Sequence, residues 1–180
     1  MTGRVYFDRE LIMSLFDDMS ALLSQRDEHA QIFVVGGAAM ALAYNERRAT
    51  QDIDAAFEPP KLVRQLALEI AAQRGLVSDW LNDAVKGFLP GDDANPATVY
   101  ESNWLVVQVA SPQYLLAMKL FSARRGRDDF DCVKLFQLCG LKSADEALHI
   151  LSTYYQTSLL TARHMYFAQD IAQQAAPPAS

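Results

Sequence analysis

Apolar positions along the chain follow two rhythms, and the change from one to the other divides it. Between Asp8 and Ser24, Ile12, Phe16, Met19 and Leu23 recur three or four residues apart, which predicts an amphipathic helix with one buried stripe. The polar stretch Gln25 to His29 leads into Ile32-Phe33-Val34-Val35, a short apolar run read as a buried strand. Gly36-Gly37 closes that strand, and the Ala- and Leu-rich segment Ala38 to Tyr44 suits a tightly packed helix. Asn45 to Arg48 reads as a turn, and Thr50 to Phe57 as a second strand stopped by Glu58-Pro59-Pro60. Leu62, Leu66 and Ile70 predict a helix over Lys61 to Arg74, which Gly75 terminates. Residues 79–88 fit neither rhythm, and Pro90 to Pro96 is loop by composition. A strand or hairpin follows around Val99 to Val109, where Trp104 to Val109 has the β-branched richness of a buried strand.

Beyond that point the pattern is helical. Ser111-Pro112 is a cap followed by proline at the first helical position, Ser143-Ala144-Asp145-Glu146 matches a capping box, and the end from Gln173 reads as frayed. The order predicts an α+β fold. A small mixed sheet flanked by helices spans residues 1–110, a C-terminal helical lobe packed on it spans 111–176, and 177–180 form a disordered tail.

Composition narrows the class. A chain of 180 residues with 51% hydrophobic and 21% charged residues is that of a soluble globular protein. No apolar run approaches a membrane-spanning length, and the first ten residues lack the apolar core of a secretion signal. A cytoplasmic protein with no membrane partner is the expectation. The net charge of −6 opposes a broad nucleic-acid-binding surface. It leaves room for a local basic groove, since cations gather at Arg47-Arg48 and at Arg124-Arg125-Gly126-Arg127. Cys132 and Cys139 are seven apart on one helical face, read as buried free thiols rather than a disulfide. His29, His149 and His164 are scattered and read as surface or packed residues.

The chemistry concentrates after the first strand. Asp52 and Asp54, two apart on a predicted strand, project to one face while Ile53 points into the core. Adjacent like charges repel, and a hard divalent cation such as Mg²⁺, shared with phosphate oxygens, relieves that repulsion. A polar strand edge would also produce Asp-x-Asp. The Gly36-Gly37 turn upstream favours the metal reading, because glycine lets the backbone approach a ligand while helix amides face phosphate. Arg48 and Thr50 add a cation and a hydroxyl just before the pair. Lys119 is the only charge in Tyr114 to Ala123. It reads either as a snorkelling lysine or as one aimed at triphosphate or at a carboxylate of the site. Gly126 is expected to end one helix, with Asp128 capping the next. Asp128 and Asp131, one turn apart, would face Lys119 and the metal site, with Asp129 off that face. Asn82-Asp83 and Asp92-Asp93 read as solvated turns.

Together these residues resemble a superfamily. Gly-Gly, a spacer, then Arg48-x-Thr50-x-Asp52-x-Asp54 looks like the signature of polymerase-β-type nucleotidyltransferases. Leu115 to Leu120 and Arg127 to Asp131 are similar to later motifs of the AbiEii/MenT-like branch of toxin–antitoxin systems, and Trp80-Leu81-Asn82 resembles a stretch in small uncharacterised members. The resemblance runs from about Phe33 to Leu138 and implies a nucleotidyltransferase-like sheet. It implies a phosphate-cradling turn at Gly36 and Gly37, and metal ligation by Asp52 and Asp54 with Mg²⁺ as cofactor. Arg48 and Thr50 would contact the triphosphate or position the strand, and Lys119, Asp131 and alternatively Asp128 would be catalytic.

The activity implied is transfer of NMP from an NTP to an acceptor hydroxyl, on an RNA (tRNA) 3′ end or a protein, with a cognate antitoxin as a possible partner. Two departures stand out. The strand Leu105 to Ala110 offers Gln108 where the superfamily usually has a third carboxylate, and Gly37 stands where serine is common. A degenerate, non-catalytic nucleotide- or partner-binding protein and a γ-phosphate transferase are the alternatives.

Overall fold

A computed structural model of the protein describes residues 5–44 and 49–176, and the chain falls into two units. The first comprises residues 1–88 and 95–110, the second 89–94 and 111–180. Arg48, named above as a site candidate, and the tail 177–180 lie outside the described residues.

The first unit is built on a five-stranded mixed sheet of order β3-β2-β1-β5-β4. Its strands are β1 (Ala30–Val34), β2 (Ile53–Glu58), β3 (Leu81–Asn82), β4 (Ala97–Glu101) and β5 (Leu105–Val109). β1 runs antiparallel to β2 and parallel to β5, while β3 is parallel to β2 and β4 antiparallel to β5. Strand alternation sorts the residues cleanly. Ile32, Val34, Ile53, Ala55, Phe57, Leu105, Val107 and Val109 are buried on one face. That face packs against α1 (Arg9–Arg26) and α3 (Pro60–Arg74), which bury Ile12, Phe16, Met19 and Leu23 and Val63, Leu66 and Ile70 respectively. The opposite face, carrying Gln31, Phe33, Asp54, Ala56, Val106 and Gln108, is half-buried to exposed. Trp80 sits in the buried layer, donating its indole N–H to the Ala67 carbonyl at 2.9 Å and stacking near Phe7.

The elements depart from the sequence reading in identifiable places. The segment after β1 begins as α2 (Gly36–Ala39) and widens into a π-helical turn over Met40–Tyr44, where the sequence predicted one regular helix. Arg9 reaches across to the Leu42 carbonyl at 2.8 Å, so a side chain terminates this turn. The second strand starts at Ile53, three residues later than predicted, because Thr50 pairs with Phe7 in an isolated antiparallel bridge. Asp52 therefore lies just before β2 rather than within it. The unassigned stretch 79–88 supplies β3 and a 3₁₀ segment, Ala84–Phe88.

The second unit contains α4 (Pro112–Ser122), α5 (Asp129–Leu138), α6 (Ala144–Tyr154) and α7 (Ala162–Ala175). Both predicted caps form: Ser111 accepts from the Tyr114 amide, and Ser143 and Glu146 close a capping box. Asp93, read above as a solvated turn residue, accepts from both the Ser111 amide (2.6 Å) and its hydroxyl (2.8 Å). α4 ends earlier than predicted, at Ala123 in the left-handed region (φ +46°) rather than at Gly126. Arg163 donates to the Ser122 and Ala123 carbonyls there, satisfying acceptors that a helix end leaves open. α7 continues through Ala175, past the predicted fraying point. Among the described residues no helix is long and apolar enough to cross a membrane.

Candidate functional site

In the first unit, the end of β1, the glycine turn and the start of β2 are drawn together by backbone bonding. The Val35 amide donates to the Asp54 carbonyl at 2.9 Å. Gly36 then adopts φ +64°, a conformation that costs an L side chain and not glycine. A Cβ built on Gly36 would stand 3.4 Å from Asp54 Oδ2. At Gly37 the constraint is space: a Cβ there would meet Thr50 Oγ1 at 2.9 Å, closer than real contacts allow. The two glycines are thus required for different reasons, and both bring the backbone against polar side chains of the next segment.

The helix opening at Gly36 has Val35 as its N-cap, which offers no side-chain acceptor. The first amides of a helix have no intrahelical partner, so this turn presents uncapped N–H donors beside Asp54. The helix dipole adds partial positive charge at the same end. Asp54 is half-buried on β2, opposite Asn82 of β3. Asn82 is committed locally, its carbonyl oxygen accepting from the Ala84 amide at 3.2 Å. Asp52 is exposed at the entrance to the strand.

The structure therefore gathers Gly36, Gly37, Thr50 and Asp54, with Asp52 two residues away along the chain. Among the described residues no group of three or more His, Cys, Asp or Glu side chains is placed to hold a metal. Two aspartates nonetheless suit Mg²⁺, which binds through one or two carboxylates and fills its remaining positions with water and phosphate oxygens.

In the second unit, the later candidates form a cluster. Lys119 is only 7% exposed. Its ammonium lies 2.9 Å from Asp128 Oδ1 and 2.9 Å from Asp131 Oδ2. This corrects the snorkelling reading: the ammonium is paired inside the protein. Asp128 Oδ2 also accepts from Arg124 Nε at 3.0 Å. Burial pushes the Asp128 carboxyl up, but Lys119 and Arg124 outweigh it and hold the group below the usual carboxylate range.

Asp128 occupies the N-cap position of α5 without making the predicted side-chain cap, because its carboxylate is turned to these cations. Asp129, off that face as expected, accepts from the Gly126 amide at 2.8 Å. Cys132, on the same helix, is buried, and burial pushes its thiol up to about 12. Cys139 is only half-buried, a partial correction to the expectation of two buried thiols.

Two features of these surroundings were not read from sequence. The fit between the Gly37 backbone and the Thr50 hydroxyl had only the residue types as its signal. Asp93 had a clearer one: a Ser-Pro helix start whose amide and hydroxyl both need an acceptor.

A glycine turn opening a helix on a mixed sheet, with a carboxylate on the following antiparallel strand, places the first unit among phosphate-handling α+β proteins. Residues 10–157 match the family described as "Nucleotidyltransferase of unknown function (DUF6036)", and the chain belongs to that family. Among solved structures it is similar to an antigenic nucleotidyltransferase-like protein from Paracoccidioides brasiliensis. That similarity is 13% identity and a TM-score of 0.48 over 93% of this chain and 95% of that one. No curated protein matches the chain.

Proposed function

We propose that the first unit binds a nucleoside triphosphate with Mg²⁺ and transfers its nucleotidyl group to an acceptor hydroxyl. One observation carries this reading: the uncapped glycine turn pressed against Asp54 and Thr50, a donor-rich backbone and a carboxylate at van der Waals distance. Amides of Gly36 and Gly37 and the Thr50 hydroxyl would donate to phosphate oxygens. Asp52 and Asp54 would hold Mg²⁺, whose charge would offset that of the displaced pyrophosphate. The acceptor oxygen forms a bond to the α-phosphorus, and the bond from that phosphorus to the bridging oxygen breaks. The acceptor proton is released to solvent.

The AbiEii/MenT-like resemblance makes RNA (tRNA) or a protein the proposed acceptor, and a toxin with a cognate antitoxin the proposed setting. The net charge of −6 gives RNA no independent support.

The test uses triphosphate labelled at the α or the γ phosphorus. Transfer of α-label, lost in Asp52→Ala/Asp54→Ala together with Mg²⁺-dependent nucleotide binding, is expected. γ-Label transfer would identify a phosphotransferase, and unchanged nucleotide affinity in the double variant would remove the site. A second reading, a binding protein without turnover, is favoured by Gln108 standing on the sheet where a third carboxylate is usual. Tight nucleotide binding with no label transferred to any cellular RNA or protein would select it.

A further inference from the structure

Two residues along β2 from Asp54, the open face of the sheet sinks into a hollow of about 220 Å³. Its floor is set by register. Phe33 is the strand partner of both Ala56 and Gln108, so these three lie side by side across β2, β1 and β5. The next rung is Glu58, Gln31 and Val106, paired in the same way. Lys86, from the 3₁₀ segment, completes the lining.

We propose that this hollow is a nucleobase subsite. The inference rests on the phosphate-binding reading above and extends it to the base. Its chemistry is that of a neutral, flat ligand. One aromatic ring, half-buried, offers a surface for stacking. Two carboxamides, from Gln31 and Gln108, each supply two N–H donors and an acceptor oxygen. Among the described residues neither carboxamide is engaged in a side-chain hydrogen bond.

The single carboxylate and single ammonium of the lining, Glu58 and Lys86, cancel in charge, so neither an anion nor a cation is favoured. A purely apolar ligand would bury both carboxamides unpaired, at a cost. A base offers a stacking face with donors and acceptors along its edge, the combination that side-chain amides and aromatic rings recognise. The step from Asp54 to Ala56 is about 7 Å along an extended strand, a distance one ribose bridges between base and phosphate.

The base could belong to the bound triphosphate or to the acceptor, and the same variants separate the two. Gln108→Leu keeps the shape of a half-buried side chain, and Gln31→Ala changes an exposed one and leaves the core intact. Calorimetric titration of the full chain with Mg²⁺ would use nucleoside triphosphate, inorganic tripolyphosphate and a dinucleotide ending in a free 3′ hydroxyl.

The expected result is about tenfold weaker binding of nucleoside triphosphate in each variant, with tripolyphosphate affinity unchanged. Weakening confined to the dinucleotide would assign the subsite to the acceptor's base instead. Unchanged affinity for every base-bearing ligand, in variants that melt with the wild type, would overturn the proposal. Failure of the wild type to bind tripolyphosphate would count against the phosphate site alone, since free nucleosides report on the hollow separately.

Discussion

Replacing Lys119 by Met should cost the second unit more than any exposed ion pair could. Lys119 touches two carboxylates at 2.9 Å each, and those side chains are 3% and 0% exposed. Met preserves the length and apolar stem of the side chain, so the change removes charge with little change of volume. It leaves Asp131 fully buried without this cation and Asp128 with only Arg124, whose own side chain is 52% exposed. Breaking a buried pair by deleting one partner typically costs about 3–5 kcal/mol. For a chain of this size each kcal/mol lowers the melting point by about 2–4 °C, so a fall of roughly 6–20 °C is expected at pH 7.

The pH dependence has a definite sign. In the wild type the Asp128 carboxyl is held below its ordinary value of 3.8, so its stabilising contribution is present above that value. It is lost as pH falls through the folded value. In the variant the depressing influence of Lys119 is gone while burial remains, and protonation relieves the penalty. The gap between the two proteins should therefore narrow as the pH is lowered toward 3.8 and below. Thermal melts by circular dichroism across pH 3 to 7 would follow it, and adding Asp131→Asn to the variant should recover part of the loss. A melting point within about 2 °C of wild type at pH 7 would show that the cluster carries little stability, as would a gap that ignores pH.

Further consequences follow from the glycine turn and the thiols. Gly37→Ala brings a Cβ to within 2.9 Å of Thr50 Oγ1 and should destabilise by about 1–3 kcal/mol, as overpacking does. Combining it with Thr50→Ala should return part of that energy, and strictly additive effects in the thermal double-mutant cycle would show that the two do not touch. Cys132 and Cys139 have thiols raised by burial to about 12 and about 11. Iodoacetamide at pH 8 should therefore label both slowly in the folded protein and rapidly after unfolding, as read by mass spectrometry. Stoichiometric labelling of the native chain within minutes would contradict their burial.

Much of the architecture was legible because periodicity and caps act locally. The stripe of Ile12, Phe16, Met19 and Leu23, the Ser143 capping box and the alternation in Leu105–Val109 all lead to the observed elements. What sequence could not supply was set by partners far along the chain. Thr50 leaves the predicted strand because Phe7 bridges to it, and Asp128 gives up its helix cap because Lys119 and Arg124 compete for the carboxylate. The π-helical turn was hidden for the same reason, its end being held by Arg9 from α1. For the candidate site, the glycine turn and its neighbouring acid were readable as a motif. Whether the second glycine served conformation or space was not, because that depends on where the Thr50 hydroxyl stands.

The six residues 89–94 belong with the helices although they lie in sequence between the 3₁₀ segment and β4. The polypeptide consequently passes from one unit to the other three times, and no single cut frees either half. A fragment stopping at Ala110 would keep Asp93 but discard the Ser111 amide and hydroxyl that this carboxylate receives. Its complement would begin at a helix whose cap had lost its acceptor. Surgery on this protein therefore calls for rerouting the backbone, by circular permutation or by replacing the excursion with a short bridge, rather than for truncation.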